Sequence, residues 1–473
     1  MLTCDNRVQQ ETTSTIQSLY QLFLQYPHKQ DNREQAVSFI SEQLGYANQY
    51  AHELKSDLPD DMHHLAQWSD THVVEVGDAY QTYLQRRKAG GPREYFDSRS
   101  HALFYLQAIA STKLVDGAWL YGLARQWQDD RFYPLIKTYV EELGEGNAQQ
   151  NHVLLYRKLL ARHGCFNDFN DTDALYLQGA IQLALGHNSD EFLPEILGYN
   201  LGYEQPPLHM LITAYELKEL DIDPYYFTLH VTTDNASTGH ARQAVDAVQG
   251  LAPTVGSQAV YYDRVKAGYR LNQLGPNYKA LLDSFDLEQQ TVNMLEHKRF
   301  YGANMHSDFC RIEGKTVNEW LQTPGQIKPF LNAMLKCRWV KRHEDPQRSR
   351  FWQLIAGDHA KMAGVFSPYE AQLIYDWIAG DWLTSSAAQQ AACKVTRLGQ
   401  QTQSMASHAS ESDIRVEHNE GDLDHDVRQL ERELATLPSN DKMKRLIDLM
   451  APRTHSTAAG LLATRIFWKS LCR

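Results

Sequence analysis

Residues 223–240 read DPYYFTLHVTTDNASTGH, and this stretch decides the fold. Asp223-Pro224 is a helix-start signal, and the apolar, aromatic run YYFTLH behind it continues as a helix. His230 and Asp234 stand four residues apart on that helix. At about 100° per residue they return to within roughly 40° of one direction, so an imidazole and a carboxylate face one spot. Taken alone, such a pair is more often a surface contact or a cap. On an apolar face, however, both groups carry a heavy desolvation cost that a partner must offset, and a metal ion is one such partner.

Two upstream segments supply groups of the same kind. In EELGEGNAQQNH, 141–152, an unbroken helix places Glu141, Glu145 and His152 on one face. A break at Gly144 or Gly146 instead brings Glu142 beside His152, and spacing alone leaves the two arrangements even. In KLVDGAWLYG, 113–122, Asp116 sits in an otherwise apolar helix, and Gly117 lets another helix approach. A carboxylate in such a run is usually paired or ligating. Carboxylates and imidazoles from separate helices of one bundle form the donor set that non-haem iron or manganese prefers, with no cysteine required.

The rest of the chain frames these pieces. At 473 residues and 54.2 kDa, it is long enough for two or three structural units. Its 42% hydrophobic and 22% charged residues are those of a soluble globular protein, and no apolar run approaches the 18 or so residues of a membrane span. The start, MLTCDNRVQQETTS, has neither the basic residues nor the apolar core of a secretory signal, so the expected location is cytoplasmic. Net charge is −12 and the basic residues are scattered, which argues against nucleic acid as a partner. Cys4, Cys165, Cys310, Cys337, Cys393 and Cys472 show no CxxC spacing and read as reduced thiols.

The fold class expected is all-α, a helical bundle with helical extensions at both ends. Its divisions are an N-terminal helical extension over 1–92, ending at the breaker AGGP, and a metal-binding bundle over 93–300. A C-terminal helical segment follows over 301–383, then a flexible Ala-, Gln- and Ser-rich linker over 384–425 and an amphipathic helical tail over 426–473 that docks on the body. Within the bundle, helices are expected over about 98–128, 132–143, 148–163, 171–186, 191–219 with a bend at Pro206-Pro207, and 224–249. Glu204 and His209 flank that bend and read first as satisfied core polar groups, and otherwise as contacts supporting a ligand. Tyr156, Tyr225 and Tyr226 read as core or pocket residues.

DGAWLYGLA at 116–124, EELGEGNAQQNHVLLYRKLLARHG at 141–164, ILGYNLGYE at 196–204 and DPYYFTLHVTTDNASTGHA at 223–241 resemble the iron-containing redox enzyme family, the haem-oxygenase-like diiron oxidases. The resemblance covers roughly 95–300 and implies a haem-oxygenase-like fold without haem. It also implies ligands from three core helices: a carboxylate at Asp116, a Glu followed ten residues later by a His at Glu142 and His152, and His230 with Asp234. Two departures stand out. The first ligand is Asp where Glu is commoner, and the closing His expected at position 237 is Ser237. His240 takes that role if the helix unwinds at Gly239.

The family implies Fe(II)/Fe(III), two ions, with Mn as an alternative, O2 as co-substrate and an external electron donor. The substrate class is an amino-acid-like or fatty-acid-like small molecule undergoing N-oxygenation, desaturation or oxidative C–C cleavage. Apolar helices at both ends are compatible with a homodimer. Two rival readings are a metal-free enzyme on the same fold and a non-catalytic helical interaction protein.

Overall fold

The computed structural model describes residues 15–25, 29–54, 56–165, 172–233, 239–357, 360–384 and 424–472. Asp234, Ser237, Cys4, Cys393 and nearly all of the expected linker lie outside them. Among the described residues the chain is helical apart from one hairpin of two-residue strands, β1 Arg311–Ile312 and β2 Lys315–Thr316. They pair antiparallel, with Arg311 opposite Thr316. The all-α, haem-oxygenase-like expectation therefore holds.

The helices run in order α1 Ile16–Gln25, α2 Gln30–Gln49, α3 Leu65–Lys88, α4 Arg99–Ala108, α5 Ala110–Lys113, α6 Tyr133–Glu142 and α7 His152–His163. Then come α8 Leu177–His187, α9 Leu193–Tyr203, α10 Leu208–Glu219, α11 Tyr225–Thr233, α12 His240–Gly250 and α13 Gln258–Leu271. After α14 Tyr278–Asp283 and α15 Leu287–Gly302 come α16 Val317–Gln322, α17 Ile327–Lys336, α18 Arg350–Ala356 and α19 Pro368–Ala379. The tail forms α20 His425–Thr436, α21 Ser439–Leu449 and α22 Ala458–Leu471.

Three expected helices are broken, each where the local chemistry requires it. The expected 98–128 helix is divided: α4 stops at Ala108, the short α5 follows, and Gly117 takes a left-handed φ of 78° between α5 and a 3-10 helix over Ala118–Gln126. Asp116 thus lies in a turn rather than in mid-helix. The 191–219 helix is two helices, because the residue before a proline is pushed out of the α region, so Pro206-Pro207 ends α9 and does not merely bend it. The 224–249 helix is likewise two, α11 and α12.

Two hydrophobic cores result. The first joins α1 and α2 (Tyr20, Phe23, Phe39, Ile40) to α6, α8, α9, α12 and α13, and takes in Leu430, Leu446 and Phe467 of the tail. The second is built on α4, α7, α10, α11 and α15 to α19, with Leu103, Tyr156, Phe227, Trp352 and Ile374 inside it. Within the first core α9 and α13 approach until a Cβ on Gly198 would stand 1.8 Å from the Val265 carbonyl oxygen, and one on Gly268 2.0 Å from that of Glu195. Only glycine permits that approach, which sets α9 and hence its C-terminal end.

Candidate metal centre

The corner 143–151 joins the last residue of α6 to the first of α7. Gly144, Glu145 and Gly146 all have positive φ, 63°, 52° and 80°, which breaks the helix outright. The unbroken arrangement is thereby excluded: Glu145 points to solvent, while Glu142 and His152 are 3% and 2% exposed. His152 Nδ1 stands 2.5 Å from Glu142 Oε2, yet neither atom has a hydrogen-bond partner. The two buried groups face each other at ion-pair distance without an aligned N–H···O bond, and each offers an atom that could ligate an ion.

Asp116 and His230 complete a group. Asp116, Glu142, His152 and His230 are all buried, and one potential ligand atom from each lies within 4.8 Å of the others. Gly117 matters here, since a Cβ on it would fall 2.9 Å from Glu142 Cβ. His230 Nδ1 is 2.8 Å from the Tyr226 carbonyl, which can only accept, so the proton sits on Nδ1 and Nε2 faces Asp116 Oδ2 at 3.2 Å. Asp116 is itself held by phenols: Tyr226 donates to Oδ2 at 2.5 Å and Tyr203 to Oδ1 at 3.2 Å. Lys113 Nζ lies 3.9 Å from Oδ1 and donates to Tyr203 Oη at 3.1 Å.

A second group, Glu142, Glu204 and His240, meets the same distance criterion. Gly239 has extended backbone and α12 starts at His240, so His240 is free of the helical register that would have turned it away from the site. Its Nδ1 is 3.0 Å from Glu204 Oε2 and 3.6 Å from Glu142 Oε1, and its Nε2 is 3.0 Å from Glu141 Oε2. With the ring proton on Nε2, Glu141 accepts it and Nδ1 faces the group. Glu141 is also paired with Lys137 at 2.8 Å.

The charges support both groups. Burial alone would raise Asp116, but the Lys113 ammonium and the His230 ring more than reverse this and hold its carboxyl well below the usual range. Glu142 behaves likewise, with burial opposed by the neighbouring His152. For His230 burial works against protonation, yet the hydrogen bond and charge of Asp116 push its pKa up to about 9. Carboxylates kept ionised in the interior, with imidazoles turned toward them, form a donor set that could hold a cation without a thiolate.

Of the ligands expected from the sequence, Asp116, Glu142, His152 and His230 stand in one group, and Glu142 and His240 in the other. Asp234 lies outside the described residues. Glu204 was underweighted, since it belongs to a group itself rather than merely supporting one. The one signal for it in the sequence is a carboxylate at the C-terminal end of an apolar helix, where the helix dipole works against it; its burial adds a second cost that nearby cations must offset. His209 lies outside both groups and stacks on Tyr278 at 5.0 Å. Tyr156 donates to the Leu106 carbonyl and Tyr225 is exposed, whereas Tyr203, like Tyr226, serves Asp116 and was not singled out.

Among the described residues no helix is long and apolar enough to cross a membrane. No curated protein and no solved structure gives a significant match to the chain. Residues 103–272, which carry every member of both groups, match the family model of the iron-containing redox enzymes.

Proposed function

We propose that this protein is an O2-activating non-haem iron oxidase whose two ions share Glu142. The observation that carries the reading is the orientation of that carboxylate, with Oε2 turned to His152 and Oε1 to His240. Asp116, Glu142, His152 and His230 would hold one ion and Glu142, Glu204 and His240 the other, with Asp234 as a further carboxylate ligand expected from the sequence. Four carboxylates balance two divalent charges, which suits a buried site. Iron supplies the binding of O2 and the electrons for its reduction.

The chain's own groups orient and insulate. The Tyr226 carbonyl and Glu141 fix the tautomers of His230 and His240, as outer partners of metal-bound imidazoles do. Tyr203 and Tyr226 hold Asp116 in place, and Lys113 offsets negative charge beside it. A metal-free enzyme would keep Glu142 and His152 as a buried ion pair without an aligned hydrogen bond, and an ion held by both would satisfy these atoms better, which favours the metal reading. The substrate is an amino-acid-like or fatty-acid-like small molecule that undergoes N-oxygenation, desaturation or oxidative C–C cleavage, with an external donor returning the iron to the ferrous state. Free thiols at Cys165, Cys310, Cys337 and Cys472 accord with a reducing, cytoplasmic setting.

The test is anaerobic reconstitution with Fe(II), metal analysis, and an optical spectrum on admitting O2. Two irons per chain and a transient oxygen-dependent absorption are expected. Absence of specific metal binding would sink the reading.

A further inference from the structure

The turn that joins Glu142 to His152 is governed by one side chain. Asn151, fully buried, caps α7 by accepting from Leu154 N at 3.0 Å, and its Nδ2 donates to the Leu143 carbonyl at 3.1 Å. Leu143 follows one ligand candidate and Asn151 precedes the other, so this amide sets the distance between them. An amide nitrogen has two N–H groups, and the second needs an acceptor. It is supplied from far along the chain: Asn151 Nδ2 lies 3.0 Å from His455 Nδ1, in the tail between α21 and α22.

The rest of the tail closes on the same corner. Tyr139, one turn before Glu142, donates to the Met450 carbonyl. A Cβ on Gly146 would stand 2.3 Å from the Leu461 carbonyl oxygen, so α22 lies directly on the turn. His455 is 1% exposed. We propose that His455 is a positioning residue for the metal centre: by accepting the second Asn151 N–H it fixes the turn that presents Glu142 to His152. This rests on the iron reading above only for its functional consequence. Burial, with Arg157 and His152 nearby, pushes the His455 pKa down to about 3, which keeps the ring neutral and able to accept.

The experiment compares native protein with His455→Ala, which removes the acceptor, and His455→Asn, whose side-chain oxygen can replace it. Two readouts are taken: Fe(II) affinity by chelator competition, and the His152 imidazole resonances of the metal-free protein by 15N NMR. His455→Ala is expected to weaken Fe(II) binding about 10- to 100-fold and to shift the His152 resonances. His455→Asn restores the resonances and brings affinity to within about threefold of native, a margin taken from the loss of one hydrogen bond's optimal geometry. Unchanged resonances in folded His455→Ala overturn the proposal, as does equal damage by the Ala and Asn variants, which marks a merely structural role. If native protein binds no iron, the oxidase reading fails, while the metal-free resonances still decide the role of His455.

Discussion

The two ligand groups share Glu142 but are built differently. The group of Asp116, Glu142, His152 and His230 straddles the seam between the cores: Glu142 ends a helix of the first, and His152 and His230 stand on helices of the second. The group of Glu142, Glu204 and His240 rests on α6, α9 and α12, all of the first core. In the seam group, neutral phenols and a backbone carbonyl orient the ligands. In the one-core group the orienting partner is an ionised carboxylate, Glu141. The lesson is that a site needs rigid ligands, not ligands from one rigid body, since a side chain fixed by hydrogen bonds can bridge two cores.

Substituting the shared residue should erase the contrast altogether. Glu142→Ala is expected to reduce iron from about two per chain to none, while Glu204→Ala leaves about one, and metal analysis distinguishes them. Retention of one iron in Glu142→Ala would show that the groups are independent. Next in size is Glu141→Ala, expected to weaken only the one-core ion, by about 10- to 100-fold in a titration that resolves two affinities.

Proton competition should affect chiefly the seam group. The His230 pKa is raised from 6.5 to about 9, so the stability it lends the metal-free protein is fully present below pH 6.5 and is lost as pH rises through 9. Because a metal must displace that proton, seam-ion affinity should rise roughly tenfold per pH unit up to about 9. Thermal melts without metal and binding isotherms with it should therefore run in opposite directions across that range. The smallest effect is expected from Tyr226→Phe, which removes one hydrogen bond to Asp116 and should cost about 1 kcal/mol of seam-ion binding, with the one-core ion unchanged.

The seam group was the readable one. His152 follows Glu142 at a fixed spacing around two glycines, and Asp116 interrupts an apolar run, so each stood out in local sequence. The one-core group depends on events that spacing does not encode. Glu204 reaches the site because proline chemistry stops α9 just before it, and because paired glycines press α9 against α13. His240 reaches it because Gly239 is extended and α12 begins at His240. On a continuous helix Glu141 would share a face with His152. Once the chain turns at Gly144, the same residue faces His240 from outside. Helical periodicity thus identified the helices, while their ends, which decide the ligands, depended on left-handed residues and prolines.

The position of the tail in the first core bears on biosynthesis. Every candidate ligand precedes residue 241, whereas Met450, His455 and Leu461, which close on the Glu142–His152 corner, come long after. At ordinary rates of translation the interval is roughly 10 to 40 s, during which the nascent chain has its metal-binding residues but not the helices that brace them. On the proposed iron reading, tight metal binding would thereby wait until the tail has been made.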